Sequence, residues 1–262
     1  MKLELKVSDK SNVGCRYCHE DSTFVGDIAH FEQAFIDTLE AGTELTITGK
    51  NIFENPYLED FLKICQQREM SCSIIIEQAA LNDYGWVVEK WVDKGLIGGI
   101  AITFNGHSDE LLEMLNTSSL KNHKENVVIQ VVYGMQSYTS LKSFFNQDLK
   151  LRILGCQEFE QAKDCNVKMT YKQELFYTNL PNMMRAFKEV SFDSLAIKQL
   201  DIKRLFISDE WETGQLEENE VTLYIDMVKG EFASSAQSEK RYPILSDIEE
   251  MVKKVRSEEE MN

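Results

Sequence analysis

Cys15 and Cys18 flank Arg16 and Tyr17 in the stretch SNVGCRYCHE, with His19 directly behind them and Ser11 four places ahead of Cys15. Thiols this close can grip one metal centre from a single loop. Three thiolates would hold three irons of a 4Fe–4S cluster and leave the fourth iron open to chelate a substrate or cofactor. The pair could equally be a zinc half-site with His19, a thioredoxin-like redox pair or two inert cysteines. Zinc usually takes a second pair, and no second Cys-x-x-Cys or His pair stands elsewhere in the chain.

The other cysteines, Cys65, Cys72, Cys156 and Cys165, follow no disulfide spacing. Cys65 falls on the apolar face of a helical pattern and reads as core. Cys156 closes the strand-like run KLRILGC nine positions before Cys165. These two could serve an auxiliary cluster, but inert, partly buried thiols are the simpler expectation. His30, His107 and His123 fall in loop or surface contexts and are assigned no chemistry. Lys198 and Lys203 read as facing solvent.

The elements that must position Cys15 and Cys18 are legible as an alternation. LELKV precedes FEQAFIDTLE, ELTITG precedes NPYLEDFLKICQQREM, and CSIIIEQ precedes YGWVVEKWVDKGL. GGIAITFN, NVVIQVVYG, KLRILGC and SFDSLAIKQL continue the series. β-Branched runs alternating with helical periods predict right-handed β-α-β units, hence an α/β fold built as a partial (β/α) barrel of about six parallel strands. In the second helix Asn55 is placed to cap, Pro56 suits the first helical position, and Leu58, Phe61, Leu62 and Cys65 share one face. GWVVEKW reads as the core and boundary of one helix.

Residues 1–205 are expected to form the barrel core, and 206–262 a C-terminal extension with a strand or hairpin and a terminal helix. In that helix Ser246 and Glu249 make a capping-box pattern, and Ile248, Met251, Val252 and Val255 form a stripe. Segments 157–180 and 209–220 fit no element. The 44 acidic residues against 28 basic ones, a formal net charge of −16, argue against a nucleic-acid partner. No apolar run is long enough to span a bilayer, so a cytoplasmic protein with no membrane partner is expected.

KSNVGCRYCHE resembles the cluster loop of the radical S-adenosylmethionine superfamily, which reads Cys-x3-Cys-x2-Cys with an aromatic before the last cysteine. Cys15, Tyr17 and Cys18 match it, and Ser11 takes the place of the first cysteine. ITGKNIFENP, after the second strand, resembles the family's Gly-rich turn: Thr48 and Gly49 match, while Lys50 and Asn51 depart from the usual Gly and Glu. The likeness covers most of residues 1 to about 200. SFDSLAIKQLDIKR, YIDMVKGEFASS and RYPI resemble a little-characterised branch found in phage and bacterial genomes.

The resemblance implies a 4Fe–4S cluster on Cys15, Cys18 and the Ser11 position, and S-adenosylmethionine cleaved to a 5′-deoxyadenosyl radical that takes hydrogen from a substrate. It implies Tyr17 near the adenine, Gly49, Lys50 and Asn51 at the methionyl amino group with Thr48 beside them in the cofactor site, and Gln78 and Asn105 at the ribose or carboxylate. An electron donor such as flavodoxin or ferredoxin is implied as a partner; the substrate is not. A serine hydroxyl holds its proton far more tightly than a thiol and is a harder donor, so the cluster is expected to be weakened or lost with Ser11 in place. The alternative is a catalytically inactive barrel that binds a partner.

Overall fold

A computed structural model of the protein describes residues 1–10, 26–156, 166–202, 222–236 and 238–259. Among these the chain runs β1 (Lys2–Lys6), α1 (Gln33–Asp37), β2 (Glu44–Thr48), α2 (Leu58–Gln67), β3 (Ser71–Glu77), α3 (Gln78–Asp93), β4 (Gly99–Thr103) and α4 (Ser108–Thr117). It continues with β5 (Val127–Val132), α5 (Tyr138–Leu141), β6 (Lys150–Leu154), α6 (Asn166–Ala186), β7 (Glu189–Phe192) and α7 (Ser194–Leu200). β8 (Thr222–Asp226), β9 (Glu231–Ala233), β10 (Tyr242–Pro243) and α8 (Ile248–Glu259) complete it. No helix of the described residues is long and apolar enough to cross a membrane.

The chain divides into two compact units, the first made of Met1–Ile76, Lys90–Gly98 and Glu217–Asn262. Its strands lie in the order β10-β9-β8-β1-β2-β3. β8, β1, β2 and β3 run parallel, and β9 and β10 continue antiparallel from β8. Register sets the two faces. Leu3, Leu5, Leu45, Ile47, Cys72, Ile74, Leu223 and Ile225 alternate onto one buried apolar face. Each fully buried side chain of this size stabilises the fold by about 1.5–3 kcal/mol. The intervening residues put Glu4, Thr46 and Ser73 in one row on the opposite, half-buried face, where Thr46 Oγ1 and Ser73 Oγ lie 3.2 Å apart.

The second unit, Glu77–Glu89 and Gly99–Leu216, holds β4-β5-β6-β7, all parallel. Its apolar face carries Ile100, Ile102, Val127, Ile129, Val131, Leu151 and Ile153. Its other face carries a row of polar residues in register, Thr103, Gln130, Arg152 and Ser191. The α/β class and parallel strands are as expected, with four parallel strands in each unit.

Several local expectations change. α2 begins at Leu58, after a turn containing Pro56, because Asn55 is tethered: its Nδ2 donates to Val7 O at 3.0 Å and Ala29 O at 2.9 Å, while Oδ1 accepts from Tyr57 N. The expected face is nevertheless buried, Cys65 included. α8 begins at Ile248, and the oxygen that caps Glu249 N belongs to Asp247, at 2.8 Å, one residue after the expected Ser246. Ile248, Met251 and Val255 are buried as the stripe requires. Part of the unassigned stretch 157–180 lies in α6, which buries Phe176, Leu180 and Met183 despite Pro181 inside it. Segment 209–220 is outside the described residues. In GWVVEKW, Trp91 is buried and Trp86 is 68% exposed, a core and boundary pair.

Candidate functional site

The ends of β1 and β2 are laced together in the first unit. Val7 N donates to Thr48 O at 2.9 Å, and Lys50 N donates to Ser8 O at 3.0 Å. Between them Gly49 adopts φ +150°, and a Cβ there would lie 2.7 Å from Ser8 O. Only glycine lets the two backbones approach so closely. Asn51, buried, accepts from Phe53 N at 3.1 Å and opens the 3-10 turn Ile52–Glu54. The four residues Thr48 to Asn51 thus form one tight turn at the C-terminal end of a parallel strand, the end at which α/β folds place ligands.

The segment that carries the cysteine motif departs from the same place. Its flanks are clasped: Ser8 and Ile28 form an antiparallel bridge, Asp9 N donates to Asp27 O at 2.9 Å, and Ala29 N donates to Val7 O at 3.0 Å. Gly26 sits against Asp9, where a Cβ would fall 2.3 Å from the Asp9 carbonyl. Asn55, gripping Val7 O and Ala29 O together, completes the clasp. Ser11, Cys15, Tyr17, Cys18 and His19 themselves lie outside the described residues.

A buried ion cluster beneath this turn was not anticipated from sequence. Lys6 Nζ lies 2.6 Å from Asp9 Oδ1 and 3.0 Å from Asp226 Oδ2. Asp226 is held in place because its Oδ1 accepts from both Val228 N and Lys229 N at 3.0 Å. The lysine therefore ties the base of the motif segment to β8. The one signal available in sequence was a lysine ending a strand whose alternate residues are apolar.

In the second unit, Gln78 and Asn105 come together. Gln78 begins α3, one residue past the strand end it was expected to occupy, and is buried. Its Nε2 donates to His107 O at 2.7 Å and its Oε1 accepts from Asn105 N at 3.3 Å. Both ends of the amide are thus spent on shaping the loop after β4, and Gln136, donating to Phe104 O at 2.7 Å, stitches the same loop. Asn105 is exposed at its tip. Cys156, half-buried, is clamped by Gln199, whose amide accepts from Cys156 N at 2.8 Å and donates to Cys156 O. Cys165 and Lys203 lie outside the described residues, and Lys198 is exposed on α7.

No family model and no curated protein matches the chain. Solved structures do. The hexahistidine-tagged form of anSMEcpe with bound AdoMet superposes with a TM-score of 0.58 over 96% of this chain and 76% of its own, at 12% identity. Native anSMEcpe with bound AdoMet and a peptide gives 0.55 over 92% of this chain and 75% of its own, also at 12% identity. The fold is an α/β partial barrel. At this identity the likeness is one of fold, and the partial barrel expected from the sequence is the fold shared with these AdoMet-bound structures.

Proposed function

We propose that the chain is a radical S-adenosylmethionine enzyme whose cluster donor set is compromised at Ser11. The observation that carries this is the seating of the Thr48–Asn51 turn on the end of β1, where the segment bearing Cys15 and Cys18 begins, within a fold shared with an enzyme that binds AdoMet.

The donors suit an iron–sulfur cluster in part. Cys15 and Cys18 would supply two soft thiolates, whereas the Ser11 hydroxyl is a hard donor and a weaker iron ligand. Bound together, cluster and S-adenosylmethionine supply an electron and a 5′-deoxyadenosyl radical for hydrogen abstraction. The chain's own part is positioning. Tyr17 would lie beside the adenine, and Gly49, Lys50 and Asn51, led in by Thr48, would meet the methionyl amino end. Asn105 would reach the ribose or carboxylate, with Gln78 holding its backbone. An electron donor of the flavodoxin or ferredoxin type would be the partner, in the cytoplasm.

Ser11 itself favours a second reading, a catalytically inactive barrel that binds a partner. One experiment separates the two: anaerobic reconstitution of the chain and of Ser11→Cys with iron and sulfide, followed by reductant, S-adenosylmethionine and assay of 5′-deoxyadenosine. The enzyme reading expects a brown Ser11→Cys protein, with iron and sulfide, that releases deoxyadenosine. Failure of both proteins to bind a cluster overturns it, and stoichiometric zinc that survives air would assign Cys15, Cys18 and His19 to zinc instead.

A further inference from the structure

Arg152 sits in the middle of β6, on the polar face of the second unit's sheet, half-buried. It is paired in register with Gln130 on one side and Ser191 on the other, and Gln130 is paired in turn with Thr103. Among the described residues no carboxylate or carbonyl takes its guanidinium. Glu189, two residues before Ser191 on β7, is engaged by Lys150 at 3.3 Å, and Asp193, two residues after it, accepts from Gly155 N and Ala196 N through Oδ1. Gln130 is 3% exposed and accepts from Thr103 Oγ1 at 3.4 Å, while its Nε2 donates to no group among the described residues. The row therefore presents a fork of guanidinium donors, an amide donor and the Ser191 hydroxyl, with one positive charge that has no ion-pair partner among the described residues.

That arrangement runs against the composition. In a chain with a net charge of −16, acidic partners for an arginine are plentiful, yet none is supplied here among the described residues. A partly desolvated guanidinium without an acceptor is unfavourable by itself and becomes favourable when an anion completes it. The planar fork matches the two oxygens of a carboxylate or phosphate. Thr103 lies two residues before Asn105 along the same chain direction, so the row is one pleat, about 7 Å, below the exposed loop tip at the strand ends.

We infer that Thr103, Gln130, Arg152 and Ser191 form an anion subsite that takes the carboxylate or phosphate group of the substrate. The substrate assignment rests on the radical-enzyme reading; the anion site does not. The test is isothermal titration of the full chain with inorganic phosphate and with acetate, each against chloride at matched ionic strength. Arg152→Met, Arg152→Lys and Lys150→Met are titrated alongside, the last removing a neighbouring charge that already has a partner.

Binding of phosphate or acetate by the wild type is expected, weakened about tenfold or more in Arg152→Met, less in Arg152→Lys, and within about twofold of wild type in Lys150→Met. The better-bound probe identifies the anion. Should Arg152→Met fail to fold, Gln130→Ala is read in its place, with weakened binding expected. Equal binding by Arg152→Met and wild type, equal loss in Lys150→Met, or no binding of either probe overturns the inference. S-Adenosylmethionine is titrated too: if Arg152→Met weakens it as much as it weakens the anion, the arginine serves the cofactor's carboxylate and the substrate assignment falls. None of these readouts needs a cluster. A failed deoxyadenosine assay with the anion site intact therefore overturns the radical reading alone.

Discussion

Lys6 and Asp226 meet across the β1–β8 ladder, Nζ to Oδ2 at 3.0 Å, with 6% and 4% of their side chains exposed, although 220 positions separate them in the chain. Asp9 closes on the same ammonium from the base of the cysteine-bearing segment. One buried cation thus organises two carboxylates at the end of the first strand.

Removing that cation leaves two carboxylates without their partner. Lys6→Met is expected to destabilise the protein by roughly 3–5 kcal/mol, measured by urea denaturation. Adding Asp226→Asn should recover part of the loss, since one of the uncompensated charges goes with it. A cost of Lys6→Met below about 1 kcal/mol would show that the pair is no more than a surface-type bridge.

Gly49 and Gly42 both have positive φ, but only Gly49 has backbone where a Cβ would go. Gly42→Ala should cost about 1–2 kcal/mol, the left-handed penalty alone. Gly49→Ala adds the collision with Ser8 O and should cost more, with displacement of the β1 and β2 ends visible in hydrogen exchange at Val7 and Lys50. Equal costs for the two would mean the close approach relaxes freely.

Glu59 accepts from Lys90 Nζ at 2.7 Å and from Trp91 Nε1 at 3.3 Å. The Lys90 hydrogen bond chiefly holds its carboxyl down to about 2, burial acting in the opposite sense. The folded pKa lies below the unfolded one, so the contribution to stability is full above the ordinary carboxylate range and fades as pH falls toward 2. The stability gap between wild type and Glu59→Gln should therefore be wider at about pH 6 than at about pH 2.5 in urea titrations. A gap independent of pH would contradict the assignment.

Cys65 and Cys72 are both buried, and the Cys72 thiol is pushed up by its hydrogen bond with Cys65 and by burial. Thiolate is the reactive form, so iodoacetamide followed by peptide mapping should label Cys156 well before either of them in the native protein. Labelling of Cys72 at the rate of Cys156 would show that this part of the core opens readily.

Local periodicity carried much of the fold. Alternation in LELKV, ELTIT and CSIII sends Leu3, Leu5, Leu45, Ile47, Cys72 and Ile74 to one face whatever lies elsewhere, because a strand's side-chain period is two. The spacing of Leu58, Phe61, Leu62 and Cys65 does the same for α2. α6 escaped because Asn, Thr and Pro181 break up the pattern around Phe176, Leu180 and Met183, and burial of those three overrides propensity.

At the candidate site, the tight turn at Thr48 and Gly49 was readable because residue type and short spacing carry its geometry, while Cys15 and Cys18 lie outside the described residues. Lys6 with Asp226, Gln78 with the loop after β4, and the row through Arg152 were not readable. Each depends on which residue lies opposite in a neighbouring strand or loop, and long-range register has no local signature. Asn55 shows the same limit in one side chain: its type suggested a helix cap, and only the return of Ala29 beside Val7 turned it into the clasp of the site.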